Sequence, residues 1–408
     1  MERYESYKDS GIEWIGKIPS HWGIIPLKRI MQIRNGQDYK LYTDNDRYPV
    51  IGSGGCFAYC SRFLYDGEAL LLGRKGTIDK PLYIKGRFWV VDTMFYAVPK
   101  IALNVRYCYY QALTIPFDKY STSTALPSMT QTDLGYHIFC LPPFVEQQAI
   151  VAYLDKRCSE IDKAIATQQK RIALLQELKQ SIITRAVTQG IHPDVPLKES
   201  GVEWIGKVPE HWEVMKTSLL YTNIGSGTTP STSKQEYYED DGFCWLQTGD
   251  LNDGYITDTS KKISKVAVKD YKLRFYPVGS IVIAMYGATI GKIGLLKIPT
   301  ATNQACCVLP YSNKMNEMYA FYVCQIAKSQ MLLEAVGGGQ PNISQDIIKK
   351  LKLPVPPLCE QQAIAVYLDG RCSEIDKAIA TQQKRIALLQ ELRQSVIKEA
   401  ITGKIKVC

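Results

Sequence analysis

The chain has 408 residues, of which 46% are hydrophobic and 22% charged, the composition of a globular protein. This length exceeds what one hydrophobic core usually serves, so we expect two or more domains. No apolar run approaches the roughly 20 residues of a membrane-spanning helix, and the first residues do not resemble a secretory signal, which predicts a cytoplasmic protein without a membrane partner. The net charge of +9 favours an anionic partner.

Two repeated segments frame the chain. The short box, Lys8 to Trp22, returns as Lys198 to Trp212 with 11 of 15 residues identical. The long box, Glu146 to Leu178, returns as Glu360 to Leu392 with 30 of 33 residues identical. The short boxes begin 190 residues apart and the long boxes 214, so the second half carries 24 additional residues between its boxes. Matching Thr-Ile pairs at Thr77 and Thr289 indicate that most of the addition precedes Thr289.

The regions between the boxes differ from each other and are predicted to be mixed α and β. Short apolar, β-branched runs bounded by glycine predict strands, and two amphipathic runs predict short helices. The predicted strands are Ala69 to Leu72, Phe88 to Val91 and Ile281 to Met285, and the predicted helices are Asn104 to Leu113 and Glu317 to Ile326.

Polar, glycine-rich loops in these regions carry the candidate nucleic-acid contacts. Hydroxyl, amide, Arg, Lys and Tyr side chains among glycines suit close approach to phosphates and base edges, although such loops are often only solvated turns. The candidates are Arg62, Arg74, Lys75, Thr77, Lys80, Ser121, Ser123, Gln247, Tyr286, Thr289, Lys292, Gln340 and Asn342. Gln340 and Asn342 are residue types that grip adenine bidentately.

The long box predicts a helix, because neither proline nor glycine interrupts residues 146–188 and strong helix formers dominate them. Apolar residues alternate at spacings of four and three, which indicates a coiled-coil seam in both copies. The seam residues are Leu154, Ile161, Ile165, Gln168, Ile172, Leu175, Ile182, Leu368, Ile375, Ile379, Gln382, Ile386, Leu389 and Val396. The chain between the two helices is long enough for them to pair either parallel or antiparallel. Outward positions such as Lys163 and Glu177 are also repeated, which indicates either a partner bound twice or a recent duplication.

The chain shows no catalytic or metal-binding pattern. Leu141-Pro142-Pro143-Phe144 lacks the leading Asp or Asn of the amino-methyltransferase motif, and prolines before a helix have a simpler role in ending a strand. Cys56-x3-Cys60 has no nearby histidine to complete a metal site, and reduced thiols are expected. We therefore expect no catalytic residue, no metal and no cofactor on this chain.

The short box SGIEWIGKIPSHW, the PP-x2-EQQAI entry to a long helix, the ending Ile182 to Gly190 and two differing domains together resemble the specificity subunit of type I restriction-modification systems. The resemblance covers essentially the whole chain. It implies an α+β fold with a pseudo-two-fold internal repeat, in which two mixed α/β target recognition domains are separated by two long helices that pair as an antiparallel coiled coil.

The resemblance implies four segments: a first target recognition domain at 1–144 with the short box 8–22, a spacer helix at 145–189, a second target recognition domain at 190–358 with the short box 198–212, and a second spacer helix at 359–403. It also implies a non-catalytic subunit that reads an asymmetric, bipartite site in double-stranded DNA. The helices would set the gap and dock two modification (methyltransferase) subunits, which bring S-adenosylmethionine, and restriction (endonuclease) subunits would join them in anti-phage defence. The alternatives are a stand-alone DNA-binding or coiled-coil scaffold protein, and an enzyme with an unrecognised site.

Overall fold

The chain divides into two compact units. The computed structural model describes residues 3–43, 47–120, 127–336 and 341–407. The first unit comprises Met1–Lys170 and Gln382–Cys408, and the second comprises Arg171–Thr381. Each unit therefore contains one variable region, the beginning of one long helix and the end of the other.

The first unit carries ten strands and three short helices before its long helix, counted over the described residues. They are β1 (Tyr7–Asp9), β2 (Lys17–Pro19), β3 (Gly23–Pro26), α1 (Leu27–Ile30), β4 (Met31–Asn35), β5 (Tyr48–Gly52), β6 (Gly55–Cys60), β7 (Tyr65–Gly73), β8 (Leu82–Val90), β9 (Met94–Pro99), α2 (Val105–Ala112), α3 (Gln131–Tyr136), β10 (Ile138–Leu141) and the long helix α4 (Phe144–Gln189), which continues into the second unit.

The second unit follows the same order with more elements. They are β11 (Leu197–Glu199), β12 (Lys207–Pro209), β13 (Glu213–Lys216), α5 (Thr217–Leu220), β14 (Gly225–Ser226), β15 (Tyr238–Leu246), β16 (Gly254–Ile256), β17 (Lys261–Ile263), α6 (Lys265–Asp270), β18 (Ile281–Ala284), β19 (Ile293–Leu296), β20 (Ala301–Thr302), β21 (Cys306–Leu309), α7 (Glu317–Leu333), α8 (Gln345–Lys350), β22 (Lys352–Val355) and the long helix α9 (Leu358–Ile401), whose end belongs to the first unit.

The two variable regions share a sheet frame that their sequences do not reveal. The first unit has one six-stranded sheet in the order β4-β9-β7-β8-β5-β6, and the second has a five-stranded sheet in the order β14-β21-β18-β19-β16. The first four strands of each order correspond, and every neighbouring pair among them is antiparallel. In the second unit β16, β17 and α6 all precede β18, where the repeat spacing predicted the additional residues.

The predicted local elements are confirmed. The runs at Ala69, Phe88 and Ile281 lie in β7, β8 and β18, and the two amphipathic runs form α2 and α7, the second of which continues to Leu333. Asn104 and Asn316 cap these helices, because each side chain accepts a hydrogen bond from a backbone N–H of the first turn. No helix among the described residues is long and apolar enough to cross a membrane.

The long helices pack antiparallel within each unit, as the resemblance implied. In the first unit Leu154 near the beginning of α4 shares a core with Val396 and Ala400 near the end of α9. In the second unit the ends are exchanged, and Ala186 and Val187 of α4 share a core with residues 364–372 of α9. Equivalent ion pairs join the helices in each unit: Arg393 Nε lies 3.1 Å from Asp162, and Lys179 Nζ lies 2.7 Å from Asp376.

The predicted seam residues all lie on the covered side of their helices. Five of them, all towards the helix ends, are buried, namely Leu154, Ile161, Leu368, Ile375 and Val396. The others are half-buried, namely Ile165, Gln168, Ile172, Leu175, Ile182, Ile379, Gln382, Ile386 and Leu389. The repeated residues Lys163 and Glu177 are exposed, so helix pairing does not account for their identity.

A glutamate in the first turn of each long helix clamps the short box. Glu146 accepts hydrogen bonds from His21 Nε2 (2.7 Å), Trp22 Nε1 (2.9 Å) and Tyr4 OH (3.0 Å). Glu360 accepts the equivalent bonds from His211 (2.7 Å) and Trp212 (2.9 Å). Both histidines therefore have a structural role.

The glutamine after each of these glutamates forms hydrogen bonds that join the long helix to its variable region. Gln147 accepts a bond from the backbone N–H of Asn104 (3.0 Å) and donates to the carbonyl of Pro142 (3.0 Å). Gln361 does the same with Asn316 (2.7 Å) and Pro356 (2.9 Å). These paired bonds explain why both copies of the long box begin with Glu-Gln.

Burial alone would raise the pKa of Glu146, but the bonds from Trp22, His21 and Tyr4 outweigh burial and hold this pKa below its ordinary value of 4.5. The charged form therefore stabilises the folded state fully above about pH 4.5, and this contribution is lost as the pH falls through the folded pKa. We expect Glu146→Gln to lower the free energy of unfolding by about 1–3 kcal/mol at pH 7, and by progressively less below pH 4.5, in urea unfolding measured across that range.

Glu177→Gln is the matched control, because Glu177 lies exposed on the same helix. We expect it to leave the free energy of unfolding nearly unchanged at both pH values. Equal effects of the two substitutions would contradict a stabilising clamp at Glu146.

Candidate nucleic-acid interface

Four of the candidate residues follow β7 in a loop that is fixed by backbone hydrogen bonds. The N–H groups of Arg74 and Lys75 both donate to the carbonyl of Thr93 (2.9 and 3.1 Å), and the carbonyl of Arg74 accepts from the N–H of Met129 (3.0 Å). Gly73 permits this fold, because a Cβ there would lie 2.5 Å from the carbonyl oxygen of Thr77. Three chain segments thus lie side by side where β7 ends.

This loop presents Lys75, Thr77 and Lys80 to solvent. Arg74 is half-buried, and its guanidinium donates to the carbonyl of Asp92 (3.2 Å) and lies 5.8 Å from the ring centre of Phe95. The loop therefore offers two exposed ammonium groups, one hydroxyl, and one guanidinium that already makes a hydrogen bond, a set suited to phosphate oxygens.

Arg62 does not join this group. It precedes β7, whereas Arg74 follows it, so the nine residues of that strand separate them. Nine extended residues span about 30 Å. Arg62 lies instead over the ring of Tyr42, 4.8 Å from its centre, at the other end of the strand.

The second unit builds an equivalent loop between β18 and β19. The N–H of Met285 donates to the carbonyl of Ala305 (2.8 Å), and the carbonyl of Met285 accepts from the N–H of Ile343 (2.7 Å). Glycines at both ends of the loop have positive φ, +86° at Gly287 and +73° at Gly291, a conformation that favours glycine. The bond from Ile343 therefore brings Tyr286 of this loop beside Asn342, and Thr289 and Lys292 lie in the same loop.

Exposure differs among these four residues. Tyr286, Thr289 and Lys292 are half-buried, and Asn342 is exposed. Tyr286 packs partly against the core of the unit. This cluster therefore presents an aromatic ring and an amide in addition to a hydroxyl and an ammonium group.

Gln247 has a local role that its sequence context did not predict. Its side chain accepts a bond from the N–H of Asp250, whose carboxylate accepts in return from the N–H of Gln247 (2.8 Å), so the pair forms a capping box. The candidates Ser121, Ser123 and Gln340 lie outside the described residues.

The sequence reasoning missed one further segment of each loop cluster. Asp92 and Thr93 in the first unit, and Gln304 and Ala305 in the second, lie beside the predicted loops through the bonds to Arg74 and Met285. No motif or repeat marks these residues in the sequence, because their position depends only on how the strands pair.

Two buried cysteines directly follow Ala305 in the cluster of the second unit. Burial raises the pKa of Cys306 and of Cys307, both on β21, to about 12, so these thiols stay protonated and unreactive at neutral pH. Within the part of the chain that the structure describes, no group of three or more His, Cys, Asp or Glu residues is arranged to hold a metal ion.

Comparison with known proteins identifies the family. The profile of the type I restriction modification DNA specificity domain matches residues 19–176 and 209–391. The chain is 28% identical to the type I restriction enzyme MjaVIII specificity subunit of Methanocaldococcus jannaschii, over 84% of this chain and 78% of that protein. It is 21% identical to the type I restriction enzyme EcoBI specificity subunit of Escherichia coli, over 97% of this chain and 89% of that protein.

The fold also matches a solved structure. A chain from a study of complex assembly and conformational transition of the type I R-M system superposes with a TM-score of 0.73 at 16% identity, covering 95% of this chain and 99% of that one. With two matched regions that together cover most of its length, the chain belongs to the type I restriction modification DNA specificity domain family.

Proposed function

We propose that this chain is the non-catalytic DNA-recognition subunit of a type I restriction-modification complex and that each unit reads one half of a bipartite, asymmetric site. The observation that carries this proposal is the pair of equivalent loop clusters, which share backbone geometry and differ in their side chains. A common frame suits two copies of the same task on DNA. Different side chains at its surface suit two different base sequences.

The lysines of these clusters supply the contacts that do not depend on sequence. Lys75 and Lys80 are exposed in the first unit, and Lys292 lies in the equivalent loop of the second. Ammonium groups at such positions neutralise phosphates and fix the register of a protein on the duplex. The net charge of +9 supports the same anionic partner, and in this proposal the protein acts in the cytoplasm with its DNA.

Two modification subunits dock on the repeated helices in this proposal. Leu174 and Leu178 of α4 are 54% and 48% exposed, and their repeat equivalents Leu388 and Leu392 of α9 are 54% and 45% exposed. Leucines four residues apart lie on one helical face and form an apolar patch. Because neither the seam nor the clamp requires these leucines, their repetition supports one kind of partner bound twice.

The partners supply the chemistry in this arrangement. The modification subunits bring S-adenosylmethionine and methylate the DNA, and the restriction subunits join them to cleave unmodified DNA. The long helices, of 46 and 44 residues, are stiff elements of about 70 Å each and suit a fixed gap between half-sites.

Co-expression with the modification subunit tests the function directly. We expect sequencing of methylated DNA to show one bipartite motif with a gap of constant length. A complex without any sequence motif would contradict the proposal. Failure to co-purify with the modification subunit would favour the stand-alone DNA-binding or scaffold protein.

Substitution of the loop lysines tests the phosphate contacts. We expect Lys75→Ala and Lys292→Ala each to weaken binding of all DNA sequences alike and to flatten the slope of log K against log salt by about 0.9, measured by fluorescence anisotropy from low to physiological salt. Lys17→Ala, which removes an exposed lysine of the short box, is the control and leaves the slope unchanged. A wild-type slope in both loop variants would rule out these contacts.

Substitution of the exposed leucines tests the docking sites. We expect Leu174→Glu with Leu178→Glu to reduce the modification subunits bound per chain from two to one in native mass spectrometry, because charge disrupts an apolar interface. The corresponding change at Leu388 and Leu392 removes the other copy. Leu41→Glu is the control, because Leu41 is 87% exposed and lies outside both helices. Unchanged stoichiometry in both double variants would leave a recent duplication as the reason for the repeat.

A further inference from the structure

The two loop clusters correspond residue by residue through their backbone hydrogen bonds. In the first unit the carbonyl of Thr93 accepts from the N–H of Arg74, whose own carbonyl accepts from the N–H of Met129. In the second unit Ala305, Met285 and Ile343 make the same two bonds in the same order. Thr93 therefore corresponds to Ala305, Arg74 to Met285, and Met129 to Ile343.

This correspondence brings together one neighbouring residue from each segment. Lys75 and Tyr286 each follow the central residue of the ladder, and Ser128 and Asn342 each precede the third. Lys75 and Ser128 face each other in an isolated antiparallel bridge. Asp92 and Gln304 each precede the first residue of the ladder, so they occupy the same place in the two units.

On the basis of the proposed function, we propose that Asp92 and Gln304 are specificity-determining residues, each contacting the edge of one base in the half-site that its unit reads. Both side chains are exposed beside the loops that carry the candidate phosphate contacts. A carboxylate in one unit and an amide in the other present different hydrogen-bonding groups from equivalent places, as the reading of two different half-sites requires.

Asp92 carries a negative charge that a phosphate contact would not explain and a base contact would. Its carboxylate makes no ion pair with any described residue, and it lies beside Arg74, which donates to the Asp92 carbonyl (3.2 Å), and near Lys75. A carboxylate repels phosphate and so weakens non-specific binding. It accepts hydrogen bonds only, and the exocyclic amino groups of cytosine and adenine are the donors in the major groove.

The side-chain amide of Gln304 is oriented by one hydrogen bond and remains able to contact a base. Its side-chain oxygen accepts a hydrogen bond from the hydroxyl of Thr229, which fixes the orientation of the amide. The amide NH2 group has no hydrogen-bond partner among residues 3–43, 47–120, 127–336 and 341–407, and the oxygen keeps a second lone pair. A donor and an acceptor held in this way match N7 and the amino group of adenine.

The test uses the complex co-expressed with its modification subunit and the motif read from methylated DNA. We expect Asp92→Asn to relax or change one base position in one half-site, and Gln304→Glu to do so in the other, each by about tenfold or more in relative methylation of the competing sites. The second half-site stays intact in each case. Thr229→Val, which leaves Gln304 in place but removes its hydrogen bond, weakens discrimination at the position that Gln304→Glu affects.

Asp118→Asn and Gln235→Glu are matched controls, because both residues are exposed and lie outside the ladders. We expect both controls to keep the wild-type motif. A wild-type motif at wild-type discrimination in the Asp92 and Gln304 variants overturns the assignment, as does a change in affinity that is equal for all sequences. Absence of any motif in the wild-type complex overturns the proposed function instead, so the two failures are distinguishable.

Discussion

The packing of one buried tryptophan in each unit holds the architecture together. Trp22 and Trp212 are fully buried, and each donates its indole N–H to the glutamate in the first turn of one long helix. The same rings meet the end of the other long helix, where Gly403 lies against Trp22 and Gly190 against Trp212. Both glycines have positive φ, +68° and +80°, so the chain turns away from its helix directly beside the ring. One side chain therefore fixes the beginning and the end of the helix pair in its unit.

This arrangement explains much of the repetition in the sequence. Tyr107 donates to the carbonyls of Cys140 and Ile401 (3.2 and 3.4 Å), and Tyr319 donates to those of Val187 and Pro354 (3.1 Å each). Each unit buries equivalent polar groups, and buried polar groups need hydrogen-bond partners. The same residues are therefore needed once in each unit. The repeated residues at helix beginnings are thus accounted for by structure. The repetition of the exposed leucines and of Lys163 is not accounted for by these contacts.

The variable regions show how one frame supports two readings. Their first four sheet strands pair in the same order, and the ladder at Arg74 recurs at Met285, although the sequences of the two regions differ. Backbone hydrogen bonds set this geometry and tolerate many side chains. The residues beside the ladder project into solvent and carry no packing requirement, so they are free to differ with the bases that each unit reads.

The sequence by itself determined the repeat, the long helices, several strands and the family. These features can be predicted because they depend on local periodicity and on short motifs such as EWIGK and EQQAI. Sequence reasoning also found Lys75 and Lys292 in equivalent loops, because Thr77 and Thr289 preserve a trace of the repeat. It also predicted Arg62 and Gln247 as contacts. The sequence of a loop does not show that a whole strand separates Arg62 from the loop lysines. It also does not show that Gln247 takes part in a capping box.

Only the tertiary structure decided which end of each long helix packs against which, and which residues flank the loops. The heptad pattern is compatible with either direction, whereas the burial of Trp22 and Trp212 between a helix beginning and a helix end permits one. Asp92 and Gln304 come beside their loops through strand pairing over long sequence separations. Such pairing depends on the whole sheet and leaves no local signal in the chain.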